Sequence, residues 1–405
     1  MVTQGDNATN SQLDSRGCTI GPDNGCMSDN DIVRALFAFQ PGDSLRLRIK
    51  YAPQAHTANC DGLFYCDPST NVWAPLNNEE MEQIISPMFD AIEDSLSPAD
   101  LMHIHSRRGA DDMRHIVGRK CADRSFKEKL DANRDILAAN NGVWDVPNKT
   151  FRPIEPEDFV MTTTGWSYDP LMAQKHRPEL EAFIAQVMPV KDEREATLAF
   201  YANLMSGHRR EKKLLVLTDT AGGSNGKSTF SELFVDFFGK RAVTHTTAVC
   251  MAGIDGHKAT RLLMAEGLKT HMALNIWRLQ SLTSGTGAVE GHARFNWQAG
   301  IVLVFNERDR PKFDGADSSF VERLVVPPMR AKFLSPEKLA DADAGDFSYL
   351  ADAEIAKKFP SWRSALGDML MEHSRNENAL DRLDNLPPSF TEKRSELAVK
   401  ACIPS

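Results

Sequence analysis

Short apolar runs separated by helical or loop stretches occupy residues 212–335. The runs lie in "KLLVLTD", "TRLLMAE", "GIVLVFN" and "RLVVPP". Apolar runs of this length, bounded by turn residues, are typical of strands that are buried on both faces of a parallel sheet. The pattern therefore predicts an α/β fold with a parallel sheet as its core, over residues 212–335.

A helix is predicted directly after the first of these runs. Its apolar residues recur at the spacing of one helix face, and a glycine at position 239 gives a C-terminal stop. These apolar residues are Phe230, Leu233, Phe234, Phe237 and Phe238. The order of strand, loop and amphipathic helix is the context in which phosphate-binding loops occur.

The rest of the chain divides into four further segments. Residues 1–31 are polar without periodicity and are expected to form a disordered leader. Residues 32–172 mix short strands with helical spacing, including a helix predicted over 125–140, and indicate an N-terminal α+β domain. Residues 173–211 predict a connector of two helices, the second ending at Gly207, and residues 336–405 predict a helical tail.

Composition excludes several classes of protein. A net charge of -9 disfavours a protein that coats nucleic acid with its whole surface, although a local basic lining remains compatible with it. The seven cysteines include no CxxC pair, so neither a disulfide framework nor a ribbon-type zinc site is indicated. The N-terminus lacks the layout of a secretory signal and no run of eighteen apolar residues occurs, so we expect an intracellular protein without a membrane segment.

The stretch "AGGSNGKST" after the first strand fits the pattern [AG]-x4-G-K-[ST] of a phosphate-binding loop. Backbone N–H groups of such a loop, together with the N-terminus of the next helix, form a cradle for anions. The alternative is a chance glycine-rich turn, which the flanking strand and helix disfavour. The candidate nucleotide-binding residues are Ala221, Gly222, Gly223, Ser224, Asn225, Gly226, Lys227, Ser228 and Thr229.

This loop predicts ATP and Mg²⁺ as cofactors. Lys227 would reach the β- and γ-phosphates, and the hydroxyl of Ser228 would be a ligand of Mg²⁺. Such sites also need an acid at the end of a neighbouring strand, and Glu266 ends the run "RLLMAE". Glu266 is therefore a candidate both for metal binding and for activating water, the alternative being a surface glutamate.

Two further residues are candidates for catalysis. Asn306 ends the run "GIVLVFN" and could orient the attacking water or contact the γ-phosphate; the alternative is an asparagine that caps a turn. Arg323 could be an arginine finger that completes the site of an adjacent subunit, and the alternative is a surface salt bridge.

Taken together, these motifs resemble the superfamily 3 helicases, the primase-helicase ATPases of large DNA viruses, phages and plasmids. The resemblance covers residues 60–335 and rests on motifs in a fixed order. It begins in "ANRDILAANNGVWDVPNKTFRPIEPEDFVMTTTGWSYDP", which looks like the helicase-associated domain of that group. "GGSNGKSTF", "LLMAEG", "LQSLTSGTGAVEGHARF", Asn306, Asp317 and Arg323 follow.

The resemblance implies an AAA+-like P-loop NTPase that translocates on DNA as a hexameric ring, with a separate primase as a further partner. It also implies a DNA-contacting hairpin over 283–296, in which His292 and Arg294 would bind phosphates. Gln280, Ser284 and Thr286 depart from the family pattern, which has Lys, Gly and Asp there. The chain also stops where relatives continue, so a fragment of a longer protein is expected.

Two alternative functions remain open from the sequence. A P-loop small-molecule kinase shares the strand, loop and metal chemistry, but it would need an arginine-rich lid. An inactive ATPase that acts as a scaffold in a replication complex would share the fold and lack hydrolysis.

Overall fold

The computed structural model describes residues 28, 31–34, 48–57, 60–77, 80, 83, 96–104, 106–209, 211–219, 223–244, 258–287, 295–313, 315–342, 347–375 and 383–402. The predicted leader, 1–31, lies outside these residues except for positions 28 and 31. Contacts within the chain divide it into two units. Unit 1 comprises residues 1–130 and 155–161, and unit 2 comprises residues 131–154 and 162–405.

Unit 1 is an antiparallel sheet with short helices. Its strands are β1 (Ile49–Thr57), β2 (Cys60–Cys66) and β3 (Trp73–Leu76), in the order β1-β2-β3. Its helices are α1 (Pro98–Ile104), α2 (Arg107–Lys120) and α3 (Phe126–Lys129), with a 3₁₀ turn at Pro156–Asp158. Trp73 and Phe126 pack edge to face with ring centroids 4.7 Å apart, which is a favourable aromatic geometry within this small core.

Unit 2 begins with a second antiparallel sheet, formed by β4 (Ile136–Ala139), β5 (Gly142–Asp145) and β6 (Thr150–Arg152). The helix predicted over 125–140 is therefore wrong beyond Lys129. The chain turns at Asp131, which has a positive φ of 51°, and then enters β4. A buried ion pair of 3.1 Å between Asp131 and Arg241 fixes this turn, and local helical spacing gives no sign of so distant a partner.

Buried arginines join this small sheet to the main sheet of unit 2. Arg261, which is fully buried, donates to the carbonyl of Ile136 at 2.8 Å and to the side chain of Gln298. Gln298 in turn donates to the carbonyl of Asp131 at 2.9 Å. Residues 131–154 and 162–172 consequently pack with the main sheet, which differs from the domain boundary at 172 that the sequence pattern suggested.

The main sheet has five parallel strands. They are β7 (Leu214–Leu217), β8 (Ala242–Thr244), β9 (Leu262–Glu266), β12 (Gly300–Val304) and β13 (Leu324–Val325). The spatial order is β13-β7-β12-β9-β8, or 5-1-4-3-2 if the five strands are numbered along the chain. The short strands β10 (Thr286–Gly287) and β11 (Phe295–Asn296) form a separate antiparallel pair.

Both faces of the main sheet are covered, as the apolar runs predict. Leu215 and Leu217 of β7 point into one core, with α4 (Pro170–Val187), α5 (Lys191–Ala202), α6 (Lys227–Phe238) and α10 (Phe359–Arg375). Leu214 and Val216 point into the other, with α7 (Ile276–Thr283), α8 (Ser318–Val321) and α11 (Pro388–Cys402). The predicted α/β fold with a parallel sheet as its core is confirmed.

The predicted helical segments are found with shifted ends. The connector consists of α4 and α5, and α5 ends at Ala202 rather than at Gly207, whose N–H donates to the carbonyl of Arg134 at 2.7 Å. The tail contains α9 (Pro336–Ala340), α10 and α11, with a 3₁₀ turn at Ile355–Lys358. It also contains β15 (Ser348–Leu350), which pairs in parallel with β14 (Lys332–Leu334) and was not predicted. Within the described residues, no helix combines the length and the apolar character needed to cross a membrane.

Candidate functional site

Glu266 and Asn306, two of the predicted site residues, lie at the carboxyl edge of the main sheet, where the phosphate loop also follows β7. In the register of the strands, Val304 of β12 lies between Leu217 of β7 and Glu266 of β9. Glu266, the last residue of β9, therefore lies at the same level of the sheet as Leu217, the last residue of β7. The chain continues from Leu217 to the phosphate loop. Ligands of open parallel sheets bind at this edge, because the loops that follow the strands converge there.

The described part of the phosphate loop has an unusual backbone. Gly223, Ser224 and Gly226 have φ values of 75°, 58° and 77°. Left-handed residues of this kind turn successive N–H groups toward one side, which forms a concave binding surface for anions. Ser224 is held there because its carbonyl accepts a hydrogen bond of 2.8 Å from the N–H of Phe333. Ala221 and Gly222 lie outside the described residues.

Asn225 is buried inside the loop. Its Oδ1 lies 3.5 Å from the N–H of Lys227, close to the limit of a hydrogen bond. Its Nδ2 is buried and has no hydrogen-bond partner among the described parts of the chain. A buried amide donor without an acceptor is costly, so this group suits a site at which an anionic ligand would supply the acceptor.

Lys227 begins α6 and points back toward the end of β7. Its side chain is 9% exposed, and its Nζ lies 3.3 Å from Oδ2 of Asp219. The other carboxylate oxygen of Asp219 accepts a hydrogen bond of 2.8 Å from the N–H of Glu307. Asp219 therefore links the loops after β7 and β12. Asp219 is not among the residues that the motifs predict, although its place two residues after a buried strand is a usable signal.

The first turn of α6 carries the remaining loop residues. Ser228 and Thr229 are half-buried there, beside the N-terminus of a twelve-residue helix. The helix dipole and the free N–H groups of this turn favour an anion. Glu232 lies one helical turn after Ser228 in α6, and loss of hydration together with the negative charge of Glu266 raises the pKa of its carboxyl. The hydroxyl of Ser228 and the carboxylate of Glu266 are the kinds of oxygen ligand that Mg²⁺ prefers, so these residues fit a magnesium ion.

Asn306 follows β12 at the same edge, two residues beyond Val304. It begins the 3₁₀ turn Glu307–Asp309, and its carbonyl accepts a hydrogen bond of 2.8 Å from the N–H of Asp309. Hydrogen bonds from Lys269, at 2.9 Å, and from Asn306 lower the pKa of Asp309. Asn306 thus starts a turn, but its side chain makes no capping hydrogen bond to the described backbone of that turn, and this exposed side chain lies at the edge that the loop occupies.

Arg323 lies at the opposite edge of the sheet. Its carbonyl accepts a hydrogen bond of 2.9 Å from the N–H of Leu214, the first residue of β7. The strand from Leu214 to Leu217, which is about 10 Å long, lies between Arg323 and the segment that leads to the phosphate loop. Arg323 and Lys227 of one chain are therefore not brought together.

The guanidinium of Arg323 forms hydrogen bonds with residues at the C-terminal end of α7. Its Nη1 donates to the hydroxyls of Thr283 and Ser284, both at 2.9 Å, and to the carbonyl of Gln280 at 3.2 Å. The side chain of Gln280 donates to Asp317 at 3.1 Å. Gln280 and Ser284, two departures from the family pattern, are thus part of one polar cluster with Arg323.

The hairpin predicted over 283–296 is present at its base. Thr286 pairs with Asn296, and Gly287 pairs with Phe295, in an antiparallel register. The two proposed phosphate contacts, His292 and Arg294, lie outside the described residues. Trp297 is 1% exposed, and its indole N–H donates to the carbonyl of Ala299 at 2.6 Å. Trp297, next to the base of the hairpin, therefore packs in the core.

Sequence comparisons identify related proteins. A family model described as D5 N terminal like matches residues 46–189. "Putative helicase L207/L206" of Acanthamoeba polyphaga mimivirus is 24% identical over 283 residues, which are 64% of this chain and 29% of that protein. "Putative helicase 121R" of Invertebrate iridescent virus 3 is 25% identical over 301 residues, which are 68% of this chain and 32% of that protein. The chain spans about a third of the length of these curated relatives.

Structure comparisons find more distant similarity. The apo structure of the NrS-1 C terminal region (305-718) is 8% identical with a TM-score of 0.46, covering 89% of this chain and 76% of that chain. The X-ray structure of JCV Helicase is 11% identical with a TM-score of 0.29, covering 93% of this chain and 98% of that chain. The family match and the viral relatives confirm the resemblance of this chain to viral proteins that are named putative helicases.

Proposed function

We propose that this chain contains the ATPase part of a DNA helicase of superfamily 3 type, which acts in viral, phage or plasmid DNA replication. The observation that carries the proposal is that two sets of predicted site residues lie at opposite edges of the main sheet. The phosphate loop and Glu266 share one edge of the sheet, whereas Arg323 lies at the other edge. A head-to-tail contact between copies would bring the two edges together, and repetition of such a contact closes a ring when the rotation between neighbouring copies is a whole fraction of a turn. A hexameric ring is our proposal for the assembly.

The roles of the residues follow from their chemistry. The backbone of residues 221–229 and the ammonium of Lys227 would hold the phosphates of ATP, with Ser228 and Glu266 at Mg²⁺. When bound, Mg²⁺ would neutralise charge on the phosphate oxygens. Glu266 would accept a proton from the attacking water, and Asn306 would orient that water.

The proposed subunit interface is supported by an exposed tryptophan. Trp277 of α7 is 70% exposed. It shares a helix face with Gln280 and Ser284, because residues three and seven positions apart lie on one side of a helix. Tryptophan and arginine are the residues that most often anchor protein interfaces. Trp277 and Arg323 would therefore face the neighbouring subunit together.

The same cluster offers a route from the interface to DNA. Arg323 is bonded to Thr283 and Ser284, which directly precede the hairpin strand β10. A change in the position of Arg323 on nucleotide binding would therefore shift the hairpin. His292 and Arg294 would be the phosphate-binding residues of that hairpin, and a separate primase would be a further partner.

The test of the proposal is ATP hydrolysis with and without single-stranded DNA. We expect DNA to stimulate hydrolysis, and the stimulation to fall as salt is raised, because contacts to phosphates depend on counterion release. Sizing of the protein with ATP and Mg²⁺ is expected to give a ring. Unchanged hydrolysis with DNA, together with a monomer on sizing, would refute the proposal. Absence of all hydrolysis would favour the scaffold instead.

Replacing Asp219 by asparagine should improve the apparent affinity for ATP. Asparagine keeps an acceptor for the N–H of Glu307 but removes the negative charge 3.3 Å from the Nζ of Lys227. Lys227 would then not have to break an ion pair with a carboxylate in order to bind phosphate. We expect KM for ATP to fall about fivefold, the equivalent of about 1 kcal/mol for one such contact.

The matched control for this change is Asp309→Asn. Asp309 lies near the same edge and is also paired with a lysine, Lys269, at 2.9 Å. It does not contact Lys227, so we expect KM to stay at the native value. A rise in KM for Asp219→Asn would show that the carboxylate supports nucleotide binding and would contradict the prediction.

A further inference from the structure

A cavity of about 240 Å³ opens beside the phosphate loop. Ser224, Gly226 and Thr229 of the loop and of α6 form one wall. The other walls come from α4 and from the segment after the main sheet, and they are mostly apolar. Their apolar side chains include Phe183, Phe333, Leu350 and Ile355.

The size and lining of this cavity limit what it can hold. Pockets for whole drug-sized ligands have volumes of roughly 300–1,000 Å³, so this cavity suits a single ring system. Mostly apolar walls with a few polar groups at the rim are typical of ligand pockets. Gln186 and Asp352 supply polar groups here, and both are exposed.

Phe333 is the wall residue most firmly tied to the phosphate loop. Its N–H donates to the carbonyl of Ser224 at 2.8 Å. Its ring packs on Gly226, where an added Cβ would come within 2.7 Å of the ring atom Cε2. The ring is also supported by Tyr349, with centroids 5.8 Å apart and an angle of 34° between planes. An aromatic face is thus fixed directly beside the loop.

We propose that this cavity binds the base of the nucleotide whose phosphates the loop holds, and that it selects purines. The inference rests on the proposed ATPase function. A base stacked on Phe333 would gain contact in proportion to its ring area, which favours the two rings of a purine. Asp352 accepts hydrogen bonds, so it suits the N–H donors on the edge of a base. Adenine, guanine, cytosine and uracil all carry such donors, so the preference for purines comes from stacking.

Asp352 is held in place by its own contacts. One carboxylate oxygen accepts a hydrogen bond of 2.9 Å from the N–H of Glu354, and the other lies 3.6 Å from Nζ of Lys358. Because this carboxylate is exposed, water competes for the base edge. Stacking on Phe333 is therefore the dominant source of both the affinity and the preference for purines, and Asp352 contributes mainly to the orientation of the base.

The experiment measures binding by calorimetry, for ATP, GTP, CTP, UTP and inorganic tripolyphosphate with Mg²⁺. For the native chain we expect the purine nucleotides to bind more tightly than the pyrimidine nucleotides. Phe333→Ala should weaken ATP and GTP about tenfold, the size of one lost stacking contact. The same variant should leave tripolyphosphate unchanged, and Phe333→Tyr should keep purine binding.

Phe347→Ala is the matched control. Phe347 is a phenylalanine with 39% exposure that directly precedes β15, and it does not line the cavity. We expect native binding of all five ligands. An equal loss of tripolyphosphate and ATP in Phe333→Ala would overturn the base pocket, because Phe333 would then only support the loop. Equal native affinity for all four nucleotides would also overturn it. If neither nucleotides nor tripolyphosphate bind, the proposed ATPase function itself fails.

Discussion

Lys227→Ala is expected to reduce ATP hydrolysis about a thousandfold, the scale on which loss of one donor to a developing negative charge reduces kcat. Lys227 is the one cation of the predicted loop, and it begins α6 at the point where the helix dipole also favours an anion. Nucleotide binding should weaken as well, because the ammonium would contact the phosphates in both the ground state and the transition state.

The substitution also disturbs the fold, and the design must separate the two effects. Lys227 and Asp219 are 9% and 7% exposed, and removal of one partner leaves a buried charge unpaired, which costs about 3 kcal/mol or more. The double variant Asp219→Asn/Lys227→Ala removes both charges. We expect it to recover stability in thermal unfolding while hydrolysis stays lost.

Lys240→Ala is the matched lysine control. Lys240 is exposed and lies in the 3₁₀ turn that follows the other end of α6, so it should leave hydrolysis unchanged. Hydrolysis by the stable double variant at more than a tenth of the native rate would contradict the assignment of Lys227 to the phosphates.

The main sheet could be predicted because its strands are buried on both faces. Four of its five strands lie within the apolar runs read from the sequence. The fifth, β8, has only the three residues "AVT", which are half-buried or exposed, and so it gave no apolar run. The following helix was predicted accurately, because its five apolar residues face one core and Gly239 ends it with a φ of 51°.

The failures have a common physical origin in contacts between distant residues. The helix predicted over 125–140 had the right spacing, but the pair of Asp131 with Arg241 fixes a turn there. Glycine is the residue type that most often follows the end of a helix, but the N–H of Gly207 donates a hydrogen bond to the carbonyl of Arg134 instead. Neither partner could be identified from local patterns.

The motifs of the candidate site could be predicted from the sequence, but their positions relative to one another in the fold could not. Strand ends identified Glu266 and Asn306, because ligands bind at the carboxyl edge. Asp219 was missed because an aspartate between a strand and a glycine-rich loop also fits a turn. The position of Arg323 at the opposite edge depends on the pairing of β13 with β7, which the sequence does not encode locally.

Arg323→Ala is expected to lower kcat by about 10³- to 10⁵-fold, the effect of losing an arginine finger, with nucleotide binding largely kept. Arg323 would act on the nucleotide of a neighbouring copy, because β7 separates it from the loop of its own chain. Two inactive variants should therefore complement each other. An interface between a subunit with intact Lys227 and one with intact Arg323 has both groups.

Mixing equal amounts of Arg323→Ala with Asp219→Asn/Lys227→Ala tests this sharing. Half of the subunits carry a good loop and half carry a good arginine, so about a quarter of the interfaces in a ring are complete. If interfaces act independently, about a quarter of the native activity should return, because the loop of every complete interface comes from the Arg323→Ala chain and is native.

Thr283→Val separates this role from a structural one. Valine keeps the shape of Thr283 but removes the hydroxyl that accepts the 2.9 Å bond from Arg323. If Arg323 only held the end of α7 in its own chain, Thr283→Val would lose much of the activity and mixing would recover none. We expect the reverse. Thr283→Val should change the stimulation by DNA more than the basal hydrolysis, because Thr283 connects Arg323 to the hairpin. Mixing of the two inactive variants should restore hydrolysis.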